Sequence, residues 1–213
     1  MFSGLNGKGS YIREESMWIH GINKKEDEKT MKKTIAIMML AMLAVLSLCG
    51  CGKRQISEAE LDKLIDRVSK EENVSPALLK AVVWKESKFD NRRVGKKGEI
   101  GLMQLMDGAV TDWAKAKKRD IPKKDALFDP ELNLEIGAWY LAWSSRLWPG
   151  REDREVLQLA AYNAGCGNVE RLWLPKDPSK PLTIDMITFS STREYIRLIQ
   201  KKKLEFEQQK KKD

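Results

Sequence analysis

Apolar positions in this chain recur at helical spacing, and no stretch alternates at strand spacing between turn signals. Leu61, Leu64, Ile65 and Val68 share one helix face behind Ser57-Glu58-Ala59-Glu60, which has the form of a capping box. Glu71–Val74 breaks that helix. Ser75-Pro76 starts the next one, with a hydroxyl N-cap and a proline where the missing N–H costs nothing. Its stripe is Leu78, Leu79, Val82 and Val83. Val110–Lys118 is helical, Asp120–Pro130 is a loop, and Asp129-Pro130 opens a helix over Glu131–Leu147. In that helix Leu134, Gly137, Ala138, Leu141 and Ala142 form a small-residue face suited to close packing. Trp139 and Trp143, four apart, are expected to stack, more as core than as a sugar platform. Arg151–Ala164 carries Val156, Leu157, Leu159, Ala160 and Ala161 and stops at Gly165. Asn168–Trp173 reads as a short helix and Leu174–Pro181 as a Pro-rich loop at a cleft edge. Ser191 and Thr192 are expected to cap a last helix that Tyr195, Ile196 and Ile199 pack back, with a fraying charged end. The fold class is all-α, with room for a small hairpin in Arg92–Ile100.

Glu86 is the one carboxylate that continues an apolar stripe, four residues after Val82 and three after Val83. Burying an ionised carboxylate is costly, so such a site favours the protonated form near neutrality. That is the state a general acid needs. The alternative is a structural Glu paired with Arg or Lys.

The amino-terminal part reads as targeting sequence. Lys32 and Lys33 precede the apolar run Ile35–Leu48, which is short for a membrane span. Leu48-Cys49-Gly50-Cys51 resembles a bacterial lipobox with Cys51 as the lipidated residue. The polar stretch 1–30 does not suit a signal peptide's upstream side, and translation is expected to begin at Met31. The expected organisation is therefore a signal peptide over 31–50, a lipidated Cys51 and linker over 51–57, a helical domain over 58–205 and a charged tail over 206–213. Membrane attachment through the lipid follows, on the outer membrane facing the periplasm if there is one.

A net charge of +8 suits polyanionic surroundings: nucleic acid, an acidic cell wall or an anionic membrane surface. A solvated Lys-rich surface is the plainer account of it. The single His, His20, lies in the segment expected to be absent from the mature chain. Without His, neither Ser-His-Asp nor Cys-His catalysis is possible, nor a His-ligated zinc. Cys49, Cys51 and Cys166 have no metal-ligand spacing, so no metal and no cofactor is expected. Carboxylate chemistry is what remains. Nucleic acid is not an expected partner, because no recognisable motif supports it and a signal peptide leads out of the cytoplasm. The chain is expected to act as a monomer.

Four pieces in order then resemble a known family. Glu86-Ser87-Lys88-Phe89 fits E-S-x-F; Gly98–Gln104 reads GEIGLMQ; Ala161–Gly165 reads AYNAG; Tyr195 follows late. From about Leu61 to Tyr195 the chain resembles the soluble-type lytic transglycosylase domain, related to goose-type lysozyme. The resemblance implies a lysozyme-like helical fold and cleavage of peptidoglycan between N-acetylmuramic acid and N-acetylglucosamine. Glu86 would act as acid, then as base on the C6 hydroxyl, leaving a 1,6-anhydro end. Tyr162 would hydrogen-bond near Glu86. Met103, Gln104, Asn163 and Tyr195 would line the cleft with Ser87, which would orient the helix end. Two departures stand out: Gly95 where the family often has Ser, and Glu99 where it commonly has a small residue. Glu99 is the only plausible second carboxylate, and the expectation is against it. The rival readings are a water-using lysozyme on the same bond and a non-catalytic wall-binding lipoprotein.

Overall fold

A computed structural model of the chain describes residues 30–39 and 55–211. The chain divides into two units, Met1–Gly50 and Cys51–Asp213. In the first, residues 30–39 form an exposed helix that carries Lys32, Lys33 and the start of the apolar run. No helix among the described residues is long and apolar enough to cross a membrane. His20, Cys49 and Cys51, and with them the proposed lipobox, lie outside the described residues.

In the second unit, α1 (Glu58–Glu72) begins with the reciprocal cap its sequence announces. Ser57 Oγ accepts the Glu60 N–H at 3.3 Å, and Glu60 Oε2 accepts the Ser57 N–H at 3.1 Å. α2 (Pro76–Ser87) starts behind Ser75, whose Oγ accepts the Leu78 N–H. α3 covers Asp107–Lys117, α4 Pro130–Arg146, α5 Arg154–Ala164 and α6 Ser190–Gln209. Asp129 caps α4 by accepting the Leu132 N–H at 2.9 Å.

α4 is the centre of the packing and touches α1, α3 and α5, while α2 runs along α6. Leu134, Ile136, Ala138, Leu141 and Ala142 are all buried, so α4 is apolar around most of its circumference, as an internal helix must be. Each fully buried Leu or Ile there contributes about 1.5–3 kcal/mol. Gly137 lets the Met103 side chain lie directly on the helix backbone; a Cβ there would overlap Met103 Sδ. The predicted aromatic stack forms, with the Trp139 and Trp143 rings 6.0 Å apart and 13° from parallel.

Four expectations need correction. Arg151 and Glu152 stay outside α5, because Arg151 is held instead by Asp153 and by the Pro178 and Lys180 carbonyls. Ser191 and Thr192 do not cap α6, which starts one residue earlier behind Phe189 with no side-chain cap; buried Thr192 donates to Asn163 Oδ1 at 2.8 Å. The charged end of the last helix does not fray as expected. It stays helical to Gln209, with Phe206 6.5 Å from Phe89 and Lys203 paired with Glu155. The hairpin reduces to single antiparallel bridges, Val94 with Ile100 and Ile100 with Leu105. Cys166–Asn168 is a single helical turn that runs into a π-helical turn over Val169–Trp173.

Candidate active site

Glu86 occupies the last turn of α2, half-buried, just before two consecutive residues in the left-handed region, Lys88 (φ 56°) and Phe89 (φ 68°). Non-glycine residues rarely sit there, and two in a row turn the chain sharply away from the helix end. Tyr195, 4% exposed on α6, donates its hydroxyl to Glu86 Oε1 at 2.6 Å. The pairing exists because α2 and α6 lie side by side.

Burial raises the Glu86 carboxyl above its ordinary 4.5; the Tyr195 hydrogen bond and the charges of Lys85 and Arg93 oppose that rise, and the charge of Glu99 adds to it. The carbonyl end of α2 also disfavours an anion. Burial and the nearby Glu86 charge hold both the Tyr162 and the Tyr195 phenols well above their ordinary value, so both stay protonated and can donate. Burial therefore biases Glu86 toward its protonated form. The arrangement also offers a hydroxyl and two cations to the carboxylate once that proton has left.

The loop between α2 and α3 forms the facing wall. Gly101 N donates to Arg93 O at 2.9 Å, Gly95 N to Glu99 O at 2.7 Å, and Leu105 N to Ile100 O at 2.9 Å. Gly101 has φ +80°, and a Cβ there would run into the Asn133 amide. Asn133 is 1% exposed, and the sequence reading passed it over. It accepts the Met103 N–H at 2.9 Å and donates to the Ile100 and Leu127 carbonyls at 3.0 and 2.7 Å. Its only signal in the sequence is an amide on an otherwise apolar helix face.

Gln104 is left-handed, with φ 48°; its Nε2 donates to Gly101 O at 2.9 Å and to Arg93 O at 3.2 Å. Both amide hydrogens are thereby used, and Oε1 faces Gly95. Tyr162, near enough to feel the Glu86 charge, donates to Met103 O at 2.8 Å, and Tyr195 donates directly to Glu86. The Met103 side chain is fully buried, and Ser87, 2% exposed, gives its hydroxyl to Val83 O at 3.1 Å. As side chains, these two support the site from behind and do not line it. Asn163 is exposed and is steadied by Thr192. Half-buried Tyr140, Trp143 and Tyr162 form an aromatic row, with Tyr140 edge-on to Tyr162 at 5.9 Å and 5.4 Å from Trp143. Burial, and after it Cys166, pushes the Tyr140 phenol up to about 12. Among the described residues, no group of three or more His, Cys, Asp or Glu could hold a metal ion.

The model of the transglycosylase SLT domain matches residues 63–180, more than half of the chain. The chain belongs to this transglycosylase SLT-domain family. Among curated proteins, this SLT-domain chain is similar to a membrane-bound lytic murein transglycosylase C from Edwardsiella ictaluri (strain 93-146). The two are 27% identical over 158 residues, covering 68% of this chain and 42% of the relative. The SLT-domain chain thus spans less than half the length of that relative. Among solved structures it is similar to an inactive mutant of the lytic transglycosylase Slt from Pseudomonas aeruginosa. The TM-score is 0.61 at 27% identity, over 69% of this chain and 24% of the other. The 70 kDa soluble lytic transglycosylase of Escherichia coli gives a TM-score of 0.58 at 26% identity, over 66% of this chain and 23% of the other. The all-α, lysozyme-like helical fold of the family is the fold described above.

Proposed function

We propose that this protein is a peptidoglycan lytic transglycosylase. It cleaves the bond between N-acetylmuramic acid and N-acetylglucosamine and leaves 1,6-anhydromuramyl ends. The observation that carries this reading is the 2.6 Å hydrogen bond from Tyr195 to Glu86 on a half-buried helix end. Protonated Glu86 gives its proton to the glycosidic oxygen. The resulting carboxylate, met by the Tyr195 hydroxyl and the Lys85 and Arg93 charges, then takes a proton from the C6 hydroxyl as that oxygen closes on C1. No cofactor takes part in these steps. Gln104, Asn163 and Tyr162 border the groove, and Ser87 and Met103 hold its walls. The names of the similar proteins, lytic transglycosylases throughout, support the same assignment.

The cellular setting belongs to the same proposal. Cys51 carries the lipid, the protein works as a monomer at the cell envelope, and its partner is the glycan strand. The "membrane-bound" in the relative's name supports this placement. One observation favours a second reading, hydrolysis by water with Glu99 as base: Glu99 is a second carboxylate within electrostatic range of Glu86. Glu86→Gln tests the assignment. The folded variant is expected to release no muropeptides from purified peptidoglycan, and release at the wild-type rate would refute it.

A further inference from the structure

Gly95 and Glu99 are explained by one another. Gly95 has no left-handed backbone, so nothing in its φ calls for glycine. The reason is space: the Glu99 carboxylate and Gln104 Oε1 lie where a Cβ would be, the latter 2.8 Å from that position. Glu99 is clamped there. Its carbonyl accepts the Gly95 N–H at 2.7 Å, and its carboxylate accepts the Lys97 N–H at 2.8 Å. The two amide hydrogens of Gln104 are spent on Gly101 and Arg93, so its oxygen is turned toward the same point. Two acceptors thus converge over a bare Cα, neither exposed nor fully buried, with backbone N–H groups of Lys97 and Glu99 steadying the carboxylate. Acceptors arranged this way select an O–H or N–H group.

We propose that Glu99, laid over Gly95 beside Gln104, is a substrate-binding residue that accepts a hydroxyl or amide N–H of the saccharide bound next to Glu86. The inference rests on the transglycosylase reading and goes beyond it by giving the second carboxylate a binding role. Its own backbone N–H and that of Lys97 hold the Glu99 carboxyl below the ordinary range, so it ionises at lower pH than Glu86. A charged acceptor makes the stronger bond to a sugar donor.

The test uses five proteins: wild type, Gly95→Ala, Glu99→Gln, Glu99→Ala and the Gly95→Ala/Glu99→Ala pair. The atoms that a Cβ at 95 would displace are the ends of flexible side chains, so Gly95→Ala moves the carboxylate without breaking the fold. On soluble glycan strands, Glu99→Ala is expected to raise KM about tenfold, the size of one hydrogen bond to a charged group, with kcat nearly unchanged. Gly95→Ala is expected to do the same, the pair to be no worse than either alone, and Glu99→Gln to fall between. In parallel, each change is made in Glu86→Gln protein and binding of the same strands is measured by calorimetry, with Kd expected to rise by the same factor. Unmoved KM and Kd, or effects of the two single changes that multiply in the pair, overturn the inference. A wild type that cleaves nothing while Kd still rises tenfold refutes the transglycosylase reading and leaves this one standing. If the strands neither bind nor are cleaved, both fall.

Discussion

The Tyr195 hydroxyl donates to Glu86 Oε1 at 2.6 Å across the α2–α6 contact, joining residues 109 positions apart. The bond favours the ionised carboxylate, while burial of the same group favours the acid. A residue that must release a proton and then take one back needs both influences in balance.

Tyr195→Phe removes one side of that balance. Burial then acts on Glu86 with less opposition, so its carboxyl rises further and the alkaline limb of kcat/KM moves to higher pH. The ionised form also loses its donor, and kcat at neutral pH is expected to fall about tenfold. A pH–rate profile of the variant beside wild type checks both effects. A limb that moves to lower pH contradicts the balance described.

Glu86→Gln is expected to stabilise the fold at neutral and alkaline pH. The Glu86 carboxyl is raised above its ordinary 4.5, first by burial, so the protonated form suits the fold and ionisation works against it. That handicap is absent below the unfolded pKa and is complete once the pH has risen through the folded one. The gap between variant and wild type in urea melts should therefore open as pH rises and close at pH 4 or below.

Asn133→Ala should cost about 2–4 kcal/mol, because it leaves the buried Met103 N–H and the Ile100 and Leu127 carbonyls unpaired. Activity should fall further than stability requires, since Met103 and Gln104 belong to the wall that faces Glu86. Urea denaturation and muropeptide release, measured on the same preparation, check the pair of effects.

Arg151 and Asp153, with side chains 8% and 3% exposed, tie the 174–182 loop to the start of α5. Burial alone would raise the Asp153 carboxyl, but the Arg151 hydrogen bond and the Leu182 N–H bring it below its ordinary value. Arg151→Ala strands a buried carboxylate and should destabilise by about 3–5 kcal/mol. Arg151→Met/Asp153→Leu should recover much of that loss. Thermal melts of the two variants decide it; a double variant no better than the single one contradicts it.

What could be read from the sequence was what local pattern encodes. The Ser57–Glu60 cap, the Ser75-Pro76 start, the Asp129 cap and the Glu86 stripe all follow from neighbours within a turn or two. The misses are long-range. Thr192 looked like a cap because hydroxyls usually cap, yet it is spent on Asn163, 29 positions away. Phe206 keeps the charged end of α6 helical through a contact with Phe89 that no local window contains. Tyr162 and Tyr195 were both placed at the site, but which of them meets Glu86 depends on how α2 lies against α6. Gly95 and Glu99 each stood out as a departure, and only the folded loop shows that they fill one space.

The most direct measurement is mass analysis of the products released from purified peptidoglycan by wild type and by Glu86→Gln. The account predicts muropeptides one water lighter than their reducing-end counterparts from wild type, and none from the variant. Reducing-end products from wild type, or anhydro products from folded Glu86→Gln, would contradict it.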